Sequence, residues 1–342
     1  MTRCNALFFL LSLALCLPLQ AETRTWHIAI EEGNWDYFPG NLPRTDINAL
    51  QPEQRDTLTA SAGQPGSLYR KVLYRAYTDA TFTQLAAQPA WLGFLGPVLR
   101  AEVGDQLELV VRNKAARPYS IHIHGLPPAE NGVAVPPGST HTYRWQIDAG
   151  AGPGPHDASS IAWFYHSDVD TLRDIHAGLA GVLIVTRRGL ARDNGMPLDV
   201  DQEWVIASSI TDENLSWLIT DNQPGAPATS SSAARQNRIV NLNGFTQGSL
   251  PMPHAERCQR VRFYHLALGE DREEIALRVH GNTLTEQGHR IDTLNTPIHS
   301  ITIADMLATR SGRWQIGASQ PALHRAGLHG RYQVSPSPHI CD

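Results

Sequence analysis

Short runs of alternating apolar and polar residues, cut at close intervals by glycine and proline, limit what this chain can fold into. Residues 25–30, 106–111 and 142–147 alternate, and 181–185 are apolar throughout. Gly104-Asp105 and Pro136-Pro137-Gly138 punctuate them. A period of two marks a strand with one buried face, and a short continuous apolar run suits a strand inside a sandwich. Residues 203–207, 260–264, 275–279 and 331–334 repeat the pattern in the second half. Short strands with regular turns predict an all-β sandwich. There is also an internal echo: Asp174-Ile175-His176-Ala177-Gly178-Leu179 matches Leu323-His324-Arg325-Ala326-Gly327-Leu328, each shortly before a final core strand. The echo predicts two copies of one domain, 22–190 and 191–342, joined near 187–200. The Pro-, Ala-, Thr- and Ser-rich stretch 223–235 reads as a surface loop of the second copy.

Two histidine positions interrupt these runs. Ile121-His122-Ile123-His124-Gly125 is a His-x-His step in an apolar setting. Trp163-Phe164-Tyr165-His166-Ser167-Asp168 has the same spacing, with aspartate as its second member. On a strand, residues i and i+2 share a face, so each step presents two side chains together. Imidazole and carboxylate are ligands of borderline divalent metals, and a sheet holds them in register. The pattern argues for copper, and Asp168 argues for an incomplete site.

The first 21 of the 342 residues read as a cleaved secretory signal: Arg3, then mostly apolar residues at 6–17, then Leu19-Gln20-Ala21. The apolar run is too short to span a bilayer and no second one follows. A lipoprotein signal at Leu13-Ala14-Leu15-Cys16 is disfavoured because Leu15 is not small. The remaining 321 residues suffice for two domains with cores of their own. The expected location is periplasmic or secreted, without membrane association after cleavage. A net charge of -5 and the absence of basic runs speak against nucleic acid and anionic membrane as partners.

Of four cysteines, Cys4 and Cys16 fall in the signal and Cys258 and Cys341 remain. In an exported protein a lone pair most simply forms a disulfide. Closing that loop restricts the unfolded chain by roughly 4 kcal/mol on the entropy model. A thiolate copper ligand is the competing reading, but neither cysteine has histidine at ligand spacing.

Many ordered blocks resemble one family. They include residues 73–82, Trp91-Leu92-Gly93-Phe94-Leu95-Gly96-Pro97, residues 117–125, Tyr165-His166-Ser167, residues 212–217, Val240-Asn241-Leu242-Asn243-Gly244 and Arg290-Ile291-Asp292-Thr293. The chain resembles the first two domains of ceruloplasmin and hephaestin, and more distantly the coagulation-factor A domains, within the multicopper oxidase superfamily. The resemblance implies two tandem cupredoxin-like Greek-key β-sandwiches and copper as cofactor. It implies a type 2 copper facing His122 and a type 3 pair bound by His124 and His166. Asp168 then occupies the place of a fourth histidine, as a ligand or as a carboxylate that orients one. The cysteine pair matches the family's late-domain disulfide.

The resemblance also shows what is missing. The family's calcium loop is shortened at 127–137, so no calcium is expected. A blue copper site needs a cysteine thiolate and two histidines. In the first domain the cysteine place is Ser167. In the second, His280 matches the first histidine, but Ala318, Leu323 and Leu328 take the thiolate, second-histidine and axial places, with His324 one position off. No blue copper is expected, and the second domain has no His-x-His step. His280, His324 and His176 read as structural, His156 as a loop residue, and Trp163, Tyr165 and Trp91 as core or site wall.

Three functions follow as expectations. The first is a copper-binding protein for storage, delivery or resistance. The second is a copper oxidoreductase active with a partner domain, redox protein or subunit. The third is a structural or interaction module. Substrate, catalytic residues and oligomeric state are not legible.

Overall fold

The computed structural model describes residues 21–42, 45–61, 65–127, 132–223, 235–269, 273–338 and 341. The candidate signal except Ala21, residues 128–131 of the shortened loop, and 224–234 lie outside the described residues.

Every strand predicted from alternation is present. Two four-stranded sheets form the first half. One orders Leu68–Tyr77, Thr23–Asp36, Gln106–Asn113 and Thr140–Gln146; the other orders Leu99–Glu102, Ala180–Thr186, Ser160–His166 and His122–Ile123. The second half has a six-stranded sheet containing Gln202–Asp212 and Arg260–Leu268, and a five-stranded sheet containing Gly312–Ala318 and His329–Ser335. Each half pairs its first long strand in parallel with a later one, Thr23 opposite Gln106 and Gln202 opposite Val261. The fold is thus all-β, in two sandwiches of the same construction.

The sequence echo has a local cause. Each copy ends a short helix, Thr171–Ala177 or Pro321–Ala326, at a glycine with positive φ, Gly178 (120°) or Gly327 (124°). The following residue donates back into the helix, Leu179 N to Asp174 O and Leu328 N to Leu323 O, both at 3.0 Å. This six-to-one closure needs a residue that tolerates left-handed backbone, and glycine does so without a Cβ penalty.

The apolar run 181–185 is explained by burial on both sides. Leu183 and Val185 enter the core between the first two sheets. Ala180, Val182 and Ile184 enter a different cluster, with Phe94 and Phe164 from the first half and Val205, Tyr264 and Leu266 from the second. The two halves therefore share an apolar junction. Polar groups are pinned inside it. Lys71 and Glu213, both fully buried, pair at 2.5 Å. Lys71 Nζ also donates to His176 O at 2.6 Å, and Tyr37 OH donates to Glu213 Oε1 at 2.6 Å. Arg262 donates to Ser160 Oγ at 2.7 Å and to Asp305 at 2.7 and 2.9 Å. Such pairs add little net stability over apolar residues but are costly to break singly.

Two outcomes are expected. Lys71→Met strands the Glu213 carboxylate and lowers unfolding free energy by about 3–5 kcal/mol in denaturant titration, and Lys71→Met/Glu213→Leu recovers most of it. His265 is fully buried between Thr296 Oγ1 (2.7 Å) and Ser208 Oγ (2.8 Å), and burial lowers its pKa to about 3. Its ring stays neutral in the fold where an unfolded histidine, near 6.5, takes a proton. This contribution is whole above about pH 6.5 and is lost as pH falls toward 3, about 2 kcal/mol of it by pH 5. His265→Gln should flatten that part of the stability–pH curve; an unchanged slope contradicts the assignment.

Candidate metal centre

The two histidine steps meet across one antiparallel pair. His122 lies opposite His166, and Ile123 opposite Tyr165. His124 follows the short strand, and its backbone N–H donates to Phe164 O at 2.9 Å. Ile121 and Ile123 are sunk in the first core, which leaves His122 and His124 on the other side of the pleat. Gly125 (φ 73°) closes the step; a Cβ there would stand 2.4 Å from the Trp163 indole. That ring is fixed by its Nε1–H donating to Ala151 O at 2.7 Å.

His122, His124 and His166 each present a ring nitrogen, all within 4.8 Å of one another. The ring centroids are 5.2–5.4 Å apart. His124 Nε2 and His166 Nε2 face each other at 3.1 Å. Metal–imidazole bonds are about 2.0–2.1 Å, so one ion bound to both would subtend roughly 100°. Two such bonds span at most about 4.2 Å, so the third imidazole must swing in slightly. His166 is buried, and its Nδ1 lies 2.8 Å from Ser167 O. A carbonyl only accepts, so Nδ1 carries the proton and the Nε2 lone pair points into the cluster. Burial lowers the His166 pKa to about 4, with the neighbouring imidazoles adding to the effect and the bond to Ser167 opposing it. Burial, then His122 and His299, also lowers that of His124. Both rings are therefore in the neutral form that binds metal at neutral pH.

Asp168 stands outside the cluster of three. Its Oδ1 accepts from Ser120 Oγ at 2.5 Å, its backbone N donates to the same oxygen at 2.9 Å, and Oδ2 lies 3.6 Å from His122 Nδ1. That nitrogen has no hydrogen-bond partner among the described residues. Three imidazoles without a thiolate suit a borderline divalent ion such as Cu(II).

The other histidines lie elsewhere. His176 Nδ1 accepts from Asp212 N at 3.1 Å. His280 is exposed, and its carbonyl accepts from Tyr332 OH at 2.5 Å. His324 stacks on His329 with centroids 4.9 Å apart. His156 lines a cleft of about 580 Å³ between the halves, with Trp163 and Glu286. Ala318, Leu323 and Leu328 pack in the second core. Cys258 and Cys341 are bonded to each other, with Cα atoms 4.8 Å apart, so neither offers a thiolate. Tyr165 is a core residue whose hydroxyl donates to Pro97 O at 2.7 Å. Trp91 packs at the junction.

Sequence reasoning missed Ser120, Ser167 and Asp174 as polar neighbours of the site, and His299, whose ring stacks on Phe164 at 6.1 Å. One signal was readable: in the echo, Asp174 stands where the second copy has Leu323.

Residues 77–189 match the family model for multicopper oxidase. Ferroxidase HEPHL1 of Mus musculus is 34% identical over 340 residues, taking in 92% of this chain and 29% of that protein. Hephaestin of Homo sapiens is 34% identical over 359 residues (96% and 31%), and ceruloplasmin of Homo sapiens 32% over 346 (94% and 32%). The chain spans about a third of the length of these relatives. Among solved structures, a multicopper oxidase superposes with TM-score 0.60 at 18% identity, covering 93% of this chain and 91% of the other. A copper nitrite reductase from Nitrosomonas europaea gives 0.61 at 18% identity, covering 92% and 94%.

In the metal-free protein, ¹⁵N NMR should find His166 as the Nδ1–H tautomer from pH 7 down to about pH 5. An imidazolium signal from His166 at pH 6 would contradict the geometry.

Proposed function

This chain belongs to the multicopper oxidase superfamily, and from that premise we propose that it is an exported copper-binding protein that serves copper handling. His122, His124 and His166 hold the ion, in a partial version of a type 2/type 3 site, and Asp168 orients His122. Residues 1–21 direct export, and 22–190 and 191–342 are the two cupredoxin domains. The observation that carries this reading is the convergence of three imidazoles, two of them (His124 and His166) kept neutral by burial, with no sulfur ligand among the described residues. The Cys258–Cys341 bond suits an oxidising compartment. Among the described residues no helix is long and apolar enough to cross a membrane.

A second reading is a copper oxidase, favoured by the relatives called ferroxidase. Reducing oxygen to water takes four electrons. Among the described residues the two cysteines are bonded to each other, which leaves no thiolate for a blue centre, and the second half has no His-x-His step to complete a cluster in a neighbouring copy. An oxidase would draw its further copper ligands from a partner domain or redox protein. A third reading, a structural module, makes no use of the neutral imidazoles.

Purified from an oxidising compartment and reconstituted, the protein should carry one or two copper ions with a type 2 electron paramagnetic resonance signal and no strong absorption near 600 nm. His122→Ala, His124→Ala or His166→Ala should each weaken binding by at least the roughly 10–100-fold that loss of an outer partner costs. Absence of copper after reconstitution sinks both copper readings. Ferrous or phenol oxidation by the isolated chain, abolished in His166→Ala, would raise the second above the first.

A further inference from the structure

Asp174 is a buried carboxylate, 1% exposed, that the copper assignment leaves unused. It sits on Thr171–Ala177, the helix that follows the strand bearing His166. Three donors converge on it. Oδ2 accepts from Ser167 Oγ at 2.6 Å and from Asp170 N at 3.1 Å, and Oδ1 accepts from Trp217 Nε1 at 2.9 Å. A buried carboxylate is tolerated when it is fully hydrogen-bonded, and bonds to the charged form are the stronger kind.

Ser167 carries this carboxylate's influence to both histidine strands. Its carbonyl accepts a hydrogen bond from His166 Nδ1–H at 2.8 Å. Its Oγ accepts from Ser120 N at 3.0 Å while donating to Asp174. Ser120 Oγ in turn donates to Asp168 Oδ1 at 2.5 Å, and Asp168 Oδ2 lies 3.6 Å from His122 Nδ1. One anchored carboxylate therefore sets His166 by one route and reaches His122 by another. The group that anchors it comes from the second half: the guanidinium groups of Arg117 (3.7 Å) and Arg173 (4.4 Å) both lie over the Trp217 ring, which restricts the aim of its N–H.

We propose that Asp174 is a positioning residue of the three-histidine site, fixing the tautomer and aim of His166 through Ser167, and that Trp217 lets the second half hold it there. The metal readout rests on the copper-handling reading; the tautomer readout does not.

The test uses the full chain with Asp174→Asn, Trp217→Phe and the double variant. Asparagine puts an NH₂ either against the Trp217 Nε1–H or against both Ser167 Oγ–H and Asp170 N–H, so one or two of the three bonds become donor–donor clashes. In the metal-free protein, ¹⁵N NMR should show His166 shifting from Nδ1–H to a tautomer mixture in Asp174→Asn, and less so in Trp217→Phe. With Cu(II) as the probe, affinity should fall about 10–100-fold in Asp174→Asn, with altered g and hyperfine values. Trp217→Phe should move the same readouts less, and the double variant should be no worse than Asp174→Asn alone, because the two act in series. Wild-type tautomer shifts and copper affinity in both single variants, with only a lower melting temperature, would overturn the proposal. Should Asp174→Asn fail to fold, Trp217→Phe decides on the same two readouts. If the wild type binds no copper, the copper reading fails and the His166 tautomer alone decides this one.

Discussion

The pairing of His122 with His166 across a two-residue strand is the contact on which the site depends. A ladder that short has little stability of its own. Its register is held by what flanks it. Ile121, Ile123 and Tyr165 are locked into the first core, and slipping the strand by one residue would drive imidazoles into that core. The strand bearing His166 is in turn paired along its length with Ala180–Thr186, which is buried on both faces. Rigidity passes outward from a core strand to a marginal edge strand, and the histidines sit where it arrives.

The burial that fixes the backbone also tunes the chemistry. His166 loses its proton affinity because its ring is largely withdrawn from water, and His124 follows for the same reason. Neutral imidazole is the metal-binding form, so the scaffold offers ligands that need no deprotonation at neutral pH. The apolar junction between the halves contributes directly, since Phe164 belongs to it and its ring lies 4.9 Å from that of His166. The second half thus shapes the site without supplying any of the three imidazoles.

Much of this was legible from residue order. Alternation located the strands because a half-buried strand must alternate, and the glycine-ended echo was visible because a helix closed by left-handed backbone selects glycine. The His-x-His step pointed to a metal because a strand places i and i+2 side by side. For the second half the resemblance to the family implied no blue copper, since Ala318, Leu323 and Leu328 stand in its ligand places.

Tertiary structure decided the rest. Spacing put Asp168 beside His166 as a ligand or as a carboxylate that orients a histidine; the strand ends at His166, and beyond it the carboxylate turns to Ser120 and lies 3.6 Å from His122 Nδ1. Lys71 and Glu213, 142 positions apart, become partners only when the halves dock. Asp174, Ser167 and Trp217 likewise read as ordinary polar or aromatic residues until folding brings a second-half indole onto a first-half carboxylate. Periodicity and spacing are properties of neighbouring residues, so sequence determines them. Burial, proton affinity and the partners of a buried polar group depend on which distant segments exclude water together, and only the folded chain fixes those.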